Sequence, residues 1–255
     1  MKKIFLGSLV CCMMFFSLEA KEISTAEEAI NIAGKQRMLT QRMLADYAMI
    51  GMHSKFQNPK QDLQNTIQMF DENLQAIKQY NKSETVDKEI THVSTLWPVV
   101  KKSLEKEPSL EICKTLCDDL DRLLAHANDV VQIIKKESGS KSGEIVDISG
   151  KQRMLSQRIA GLYILNMWAV DNDTYKKRLN QAMAEFKASM EKLKVYKKNN
   201  PEINTLIAEV EKSYNYLERM NSIETAMKVM PSLVYKKLDG MLKNMDKVTK
   251  LYASI

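Results

Sequence analysis

The chain has 255 residues, of which 44% are hydrophobic and 27% are charged. This composition is that of an ordinary globular protein, and it excludes a disordered chain, a collagen and a disulfide scaffold. With only 8 glycines and 5 prolines, turn residues are scarce, which favours an all-α fold of one or two domains. The net charge of +6 is too small and too evenly spread to indicate nucleic acid as a partner, although a small anionic ligand remains open.

The first 20 residues have the pattern of an export signal. Lys2 and Lys3 precede an apolar run over residues 4–18, and Ala20 offers a small residue at a cleavage point. The run is shorter than the roughly 20 apolar residues of a membrane span, although an uncleaved anchor stays open. The residues before Cys11 and Cys12 do not favour lipidation. We therefore expect a mature chain in the periplasm, cleaved after Ala20 and with no membrane span.

Four helices are predicted in the first half of the chain. The first covers 24–54, with Ser24 or Thr25 and an acidic residue three positions on as its cap. The second covers 59–81, and the third, 85–105, contains Pro98, which should kink or restart it. The fourth, 109–136, has the clearest single apolar face. Long helices with short connections favour an antiparallel four-helix bundle.

The second half of the chain repeats the first. Residues 34–42 read Gly-Lys-Gln-Arg-Met-Leu-Thr-Gln-Arg, and eight of these nine residues recur at 150–158, at a constant offset of 116. The offset persists to Tyr80 and Tyr196 and then slips by two, so that Leu120 falls on Leu238. Such self-similarity indicates a duplicated structural unit.

The fold expected is therefore all-α, with two tandem antiparallel four-helix bundles packed as an intramolecular pseudo-dimer. Its segments are a signal peptide at 1–20, a first repeat at 21–137, a linker at 138–143 and a second repeat at 144–255. The linker is predicted to be a flexible polar spacer because it is rich in serine and glycine.

One stripe of the first helix in each repeat combines a glycine, an arginine and a glutamine. The two sets are Gly34, Arg37 and Gln41, and Gly150, Arg153 and Gln157. A glycine within a helix costs about 1 kcal/mol relative to alanine, so close helix approach is the expected reason for it.

If the two first helices meet across the pseudo-twofold axis, Arg37 and Arg153 converge. Two guanidiniums that close together repel, and an anion between them reverses the sign of that interaction. The planar fork of arginine suits a small planar oxyanion. The alternative is that both arginines lie on the surface of a segment kept for packing, and the spacing alone does not decide between the two.

The segment 31–42 and its copy around Gly150 and Arg153 resemble the first-helix signature of PilJ/NarX-type sensor domains. These are periplasmic four-helix modules of type IV pilus chemotaxis transducers and of nitrate/nitrite sensor kinases. The resemblance is sharp over about 20 residues in each half and is otherwise limited to the helix count.

The resemblance implies a ligand and a site. In the nitrate sensors one arginine from each subunit grips a single nitrate, and the motif aligns that arginine with Arg37 and Arg153 and its nearby glycine with Gly34 and Gly150. One chain would then supply both halves of the site. This sequence has no transmembrane, kinase or methyl-accepting region after its last helix, so it is expected to need a membrane partner, such as a sensor histidine kinase or a chemoreceptor.

The remaining polar residues of the motif are expected to flank the site. Arg42 lies about 140° around the helix from Arg37, so Arg42, Arg158, Lys35 and Lys151 are predicted to be second-shell residues at most, like Gln41 and Gln157. Gln36 and Gln152 point away from the stripe in the same manner.

No cofactor or catalytic set is recognisable in the sequence. Cys113 and Cys117 lie one helical turn apart on an apolar face, where packing is favoured over a strained disulfide. The three histidines are scattered without a cysteine or glutamate partner at metal spacing, which disfavours zinc or di-iron chemistry.

The sequence thus favours an exported, non-enzymatic binding protein for nitrate or a similar oxyanion that reports to a membrane partner. One alternative is a ligand-free interaction module that docks on a transducer or pilus component. A storage or scavenging role for the same site is a weaker option.

Overall fold

The structure is a computed structural model that describes residues 22–80, 83–168, 172–222 and 231–255. The predicted export signal at 1–20 lies outside the described residues. The described part of the chain forms eight helices: α1 (Ala26–Gly51), α2 (Pro59–Tyr80), α3 (Glu84–Leu104), α4 (Leu110–Ser138), α5 (Gly143–Met167), α6 (Asn172–Lys194), α7 (Pro201–Ser222) and α8 (Pro231–Ala253). None of these helices is long and apolar enough to cross a membrane.

The first repeat is a bundle of α1 to α4. Helix α1 packs against α2 and α4, and α3 completes the bundle against the same two helices. Thr25 caps α1 as predicted, because its hydroxyl accepts the Glu28 N–H at 3.1 Å. In the core, the ring of Phe70 lies 4.2 Å from that of Trp97, measured between centroids.

The second repeat builds the same bundle from α5 to α8. Helix α5 packs against α6 and α8, and α7 lies against both of these. Phe186 and Tyr214 stack with centroids 5.2 Å apart, at the positions that Phe70 and Trp97 hold in the first repeat. The prediction of an all-α, two-repeat helical bundle is confirmed.

The two repeats meet through α1 and α5, which run parallel along each other. The beginning of α5 lies near the beginning of α1, since a Cβ on Gly143 would be 2.9 Å from Ile30. Gly51, at the end of α1, lies directly against Trp168, which follows α5. Equivalent positions therefore face one another, as a pseudo-twofold axis parallel to the helices requires.

Their central position buries α1 and α5 on nearly every side, which corrects one prediction. Gln36 and Gln152 do not flank the bundle but are 2% and 0% exposed. Each donates a hydrogen bond to a main-chain oxygen of its own repeat, Gln36 to Phe70 at 3.1 Å and Gln152 to Phe186 at 2.9 Å. Both glutamines thus attach the central helix to the second helix of their repeat.

The third helix is not interrupted at its proline. Helix α3 continues through Pro98 to Leu104, so the predicted restart at this residue is wrong. Trp97 is buried, packs against Phe70 with the two rings tilted by 33°, and donates its indole N–H to Asp71 at 2.5 Å. Such tertiary contacts offset the main-chain hydrogen bond that proline removes.

The connection between the repeats is held more tightly than its composition suggests. Only four residues separate α4 from α5, and Gly139 ends α4 in the left-handed conformation that glycine favours. The hydroxyls of Ser140 and Ser142 both donate to the carboxylate of Glu27 on α1. The predicted flexible spacer is therefore a short connection bonded to the first helix.

Candidate functional site

Arg37 and Arg153 converge in the interface between α1 and α5. They are among the largest fully buried side chains, at 2% and 0% exposure. A Cβ on Gly34 would lie 3.3 Å from Nη2 of Arg37 and 3.4 Å from Nη2 of Arg153, and a Cβ on Gly150 would lie 3.3 Å from each. The glycines therefore leave the space in which the two guanidiniums lie side by side.

Each arginine reaches across the interface through Nη2. Arg153 donates to the main-chain oxygen of Asn31 on α1 at 3.1 Å. Arg37 donates to the main-chain oxygen of Asp147 on α5, at a longer 3.5 Å. Residues 31 and 147 are equivalent in the two repeats, so this pair of contacts obeys the pseudo-twofold axis.

Each arginine also bonds through Nη1 to the last helix of its own repeat. Arg37 donates to the side-chain oxygen of Asn128 at 2.9 Å, and Arg153 to a carboxylate oxygen of Asp246 at 2.8 Å. Arg37 additionally forms an ion pair of 2.8 Å with the Asp147 carboxylate. Each guanidinium therefore has one aspartate as its counter-ion. The aspartate of Arg37 is Asp147 of the other repeat, and that of Arg153 is Asp246 of its own repeat.

Burial and charge act together on this cluster. Burial lowers the pKa of Arg153, as does the neighbouring Arg37, while Asp246 opposes both effects. Burial raises the pKa of Asp246, but Arg153, Lys250 and Lys35 overcome this and hold it at about 2.

The pKa of Asp147 is lowered in the same manner. Burial raises the pKa of Asp147, but this effect is outweighed by the charge of Arg37 and by hydrogen bonds from Gln132 and Lys135, both at 2.9 Å. Both aspartates of the cluster are therefore ionised near neutral pH.

Several buried polar atoms at this interface have no hydrogen-bond partner among the described residues. They include Nε of Arg37 and Nε of Arg153, together with the side-chain oxygens of Asn31 and Gln157. A buried N–H without a partner costs about 1–3 kcal/mol. The two Nε–H groups are thus buried donors for which the described residues supply no acceptor.

A polar groove of about 700 Å³ leads to Arg37 between α4, α5 and α6. Its lining includes the site residues Asn128 and Asp147 and the basic residues Lys151, Arg158 and Lys192. Of the paired arginines, Arg37 is thus the one that lines this groove, where it stays 2% exposed.

The structure places the predicted second-shell residues in different surroundings. Lys35 approaches the site, because its Nζ lies 4.0 Å from the Asp246 carboxylate that binds Arg153. Lys151 lines the groove but forms its ion pair with Glu185 at 3.1 Å. Gln41 and Gln157 are buried on the stripe, and neither has a contact with the paired arginines among those described.

Arg42 and Arg158 form ion pairs that join the two repeats. Arg42 of α1 binds Asp62 of its own repeat at 2.6 Å and Asp239 of α8 at 3.4 Å. Arg158 of α5 binds Asp121 of α4 at 3.0 Å. Because Asp121 and Asp239 are equivalent, these two pairs cross the interface in opposite directions.

Sequence reasoning missed the acidic and amide partners of the arginines. Asn31 and Asp147 lie six residues before Arg37 and Arg153, within the aligned segments. The Asp147 carboxylate, which pairs with Arg37, was the available signal, whereas Arg153 bonds to the main-chain oxygen of Asn31, which the Asn31 side chain does not mark. Asp246 could not be identified in this way, since it comes from a distant helix.

The histidines and cysteines give one correction and one agreement. The expectation that no histidine has a glutamate partner at metal spacing is wrong, because α3 and α4 bring His92 and His126 to the same carboxylate of Glu89. Cys113 and Cys117 are buried free thiols, with their Sγ atoms 3.9 Å apart.

Comparison with known families identifies both halves of the chain. The model of the family described as PilJ, type IV pili methyl-accepting chemotaxis transducer N-term, matches residues 21–115 and again residues 137–234. No curated protein and no solved structure matches the chain significantly. The two family matches cover most of the sequence and agree with the duplicated four-helix unit. The chain therefore belongs to the PilJ family of type IV pili chemotaxis transducer N-terminal domains, and it carries that domain twice.

Proposed function

We propose that this protein is a periplasmic sensor protein that binds nitrate, or a similar small oxyanion, between Arg37 and Arg153. The observation that carries the proposal is the convergence of two buried guanidiniums over Gly34 and Gly150. Repulsion between the guanidiniums and their two unpartnered Nε–H groups both favour an anion at this place.

The chemistry of the site selects a small planar anion. The space over Gly34 and Gly150 is shallow. Each guanidinium presents a flat edge of N–H donors, which pairs with oxygens arranged in a plane. Nitrate offers three such oxygens, so that two of them can face different arginines. Tetrahedral sulfate is larger and fits such a gap less well.

Binding would change how α1 and α5 pack. An anion held by both arginines draws the two repeats together, and any partner that distinguishes the two packings would then report the anion. Family membership indicates a helical module related to chemotaxis signalling. We infer that the partner is a membrane sensor histidine kinase or a chemoreceptor.

A ligand-free interaction module is the second candidate. The observation that favours it is that Asp147 and Asp246 already neutralise the two arginines, each at 2.8 Å. In this case the cluster would only fix the register of α1 against α5, and the outer helices would bind a transducer or pilus component. Anion binding separates the two candidates.

Calorimetric titration with nitrate tests the proposal, with nitrite, chloride and sulfate as comparison anions. The variants are Arg37→Lys and Arg153→Lys, which keep the positive charge and lose the planar fork. The matched control is Arg42→Lys, an arginine of the same motif that binds Asp62. Circular dichroism checks that every variant is folded.

The proposal predicts saturable binding of one nitrate per chain, which Arg37→Lys and Arg153→Lys each abolish and Arg42→Lys preserves. Absence of heat at millimolar nitrate would refute the sensor role and favour the interaction module.

A further inference from the structure

A cluster of two histidines and a glutamate lies on the first repeat, on helices α3 and α4. It consists of Glu89 and His92 on α3 and His126 on α4. We propose that these three residues bind a divalent transition-metal ion, with Zn²⁺ as the representative ion. The cluster shares no residue with the arginine pair, so this site is independent of the proposed anion site.

The three side chains converge on one point. Nδ1 of His92 lies 3.2 Å and Nδ1 of His126 lies 3.0 Å from the same Glu89 oxygen, Oε2. The two imidazole rings are 4.8 Å apart between centroids. One candidate ligand atom from each residue lies within 4.8 Å of the other two.

The two nitrogen–oxygen separations are close to those in a zinc site. Ligand atoms about 2.0–2.2 Å from a tetrahedral ion are separated from each other by about 3.4 Å. The two nitrogen–oxygen distances need to lengthen by only a few tenths of an ångström to admit the ion. This adjustment is within the rotamer freedom of side chains that are partly exposed, at 43% for His92 and 32% for His126.

The secondary structure presents the cluster without strain. Glu89 and His92 are three residues apart, so they lie on the same face of α3. His126 extends from α4, which packs directly against α3. Two imidazoles and one carboxylate are a common ligand set for zinc, and the partial exposure leaves a coordination position for water.

The second repeat lacks this ligand set, although it keeps the geometry. The aromatic pairs Phe70–Trp97 and Phe186–Tyr214 align α3 with α7 at an offset of 117. At this offset Glu89 and His92 correspond to Leu206 and Glu209, and the repeat offset of 118 in the last helix places Asn244 opposite His126.

Asn244 donates to Glu209 at 2.9 Å, so the last helix and the third helix are also joined there. In the second repeat a single side-chain hydrogen bond therefore connects the third and fourth helices at this place. The equivalent connection between α3 and α4 does not by itself require two histidines and a glutamate. The proposed metal site explains why the first repeat has three potential metal ligands at this place.

The experiment is a calorimetric titration of metal-free, untagged protein with ZnCl₂, with MgCl₂ as a comparison because Mg²⁺ prefers oxygen ligands. The test variants are His92→Gln/His126→Gln and Glu89→Gln, which retain hydrogen-bonding groups of similar size. The control variant is His53→Asn, which removes the third histidine of the chain and suits the left-handed backbone there, where φ is 55°.

We expect one Zn²⁺ per chain, no Mg²⁺ binding, and a loss of Zn²⁺ affinity of about tenfold or more in both test variants. His53→Asn should bind Zn²⁺ like the parent protein, and Zn²⁺ should raise the melting temperature of the parent but not of the double variant.

Either of two results would overturn the proposal. The first is absence of Zn²⁺ binding to the parent protein. The second is Zn²⁺ binding that survives in a folded His92→Gln/His126→Gln variant.

Discussion

Arg37 and Asp147 form an ion pair of 2.8 Å that joins the two repeats through their parallel central helices. In the opposite direction, Arg153 meets the main-chain oxygen of Asn31 instead of a carboxylate. Its carboxylate partner is Asp246, which belongs to its own repeat. The cluster is therefore symmetric in its two cations and asymmetric in its counter-ions, so the two halves of the site should respond differently to substitution.

Replacing Asp147 with asparagine should strengthen anion binding. The Asp147 carboxylate competes with an added anion for Arg37, while Asn31 shows that asparagine is accepted at the equivalent position of the first repeat. We expect nitrate affinity to rise about tenfold in Asp147→Asn, which corresponds to about 1.4 kcal/mol. Calorimetry measures this change.

The matched control for this prediction is Glu144→Gln. It removes the same charge from the same helix, but Glu144 binds Lys135 rather than an arginine and is largely exposed. Equal gains in the two variants would mean that net charge, and not competition at Arg37, controls the affinity.

Adding a methyl group at Gly34 should weaken anion binding and leave the fold intact. The new Cβ would lie 3.3–3.4 Å from Nη2 of both arginines, so both guanidiniums have to shift. Alanine is favoured over glycine within a helix by about 1 kcal/mol, which offsets the cost of this shift. We expect Gly34→Ala to reduce nitrate affinity at least fivefold, with little change in the free energy of unfolding.

Gly240→Ala on α8 is the control for Gly34→Ala. A Cβ at Gly240 has no neighbour within 4 Å among the described atoms, so this variant should gain about 0.5–1 kcal/mol of stability and keep its affinity. The idea of a glycine-lined site fails if Gly34→Ala and Gly240→Ala bind nitrate equally well.

Asp246 should make the stability of the protein depend on acid pH. Its pKa is held at about 2 in the folded chain, below its ordinary value of 3.8. Because folding lowers this pKa, ionised Asp246 stabilises the folded state. Its contribution is complete above about pH 4 and is lost as the pH falls toward 2. The pKa shift of Asp246 corresponds to about 2 kcal/mol of unfolding free energy.

Urea unfolding of the parent and of Asp246→Asn from pH 5 to pH 2 tests this dependence. The stability difference between the two proteins should shrink as the pH falls, since protonated aspartic acid and asparagine are both neutral. A difference that stays constant over this range would show that Asp246 is not the group that titrates.

Arg42 should matter for stability and not for anion binding. Its removal takes the guanidinium from both Asp62 and Asp239, and leaves Asp239, whose side chain is only 8% exposed, with the exposed Lys243 as its counter-ion. We expect Arg42→Ala to lose about 3 kcal/mol of unfolding free energy and to keep its nitrate affinity, both measured on the purified protein.

Arg122→Ala is the surface control for Arg42→Ala. Arg122 pairs with Asp119 but is 64% exposed, so its loss should cost less than about 1 kcal/mol. A loss of nitrate affinity in Arg42→Ala without loss of stability would place Arg42 in the anion site.

The sequence was informative where the repeats preserve local patterns. The recurrence of eight of the nine residues 34–42 at 150–158 predicted the duplication, and the stripe of Gly34 and Arg37 predicted a close helix interface. The structure brings the two arginines together as that prediction requires, while their ligand remains a prediction.

The remaining features depend on long-range packing, which local patterns do not specify. Asp246 meets Arg153 across 93 residues, and the position of α8 against α5 determines that contact. His92 and His126 are 34 residues apart in the sequence, and the packing of α4 against α3 places both beside Glu89. Gln36 is buried because α1 is surrounded by other helices, and the sequence of α1 alone does not show this.

The most direct test of the central claim is a crystal structure of the protein grown with nitrate. The account predicts a single planar anion between the repeats, with oxygens at hydrogen-bond distance from the guanidiniums of both Arg37 and Arg153. Nitrate that contacts only one of these arginines, or that binds only at surface lysines while the ion pairs of Arg37 with Asp147 and of Arg153 with Asp246 stay intact, would contradict it.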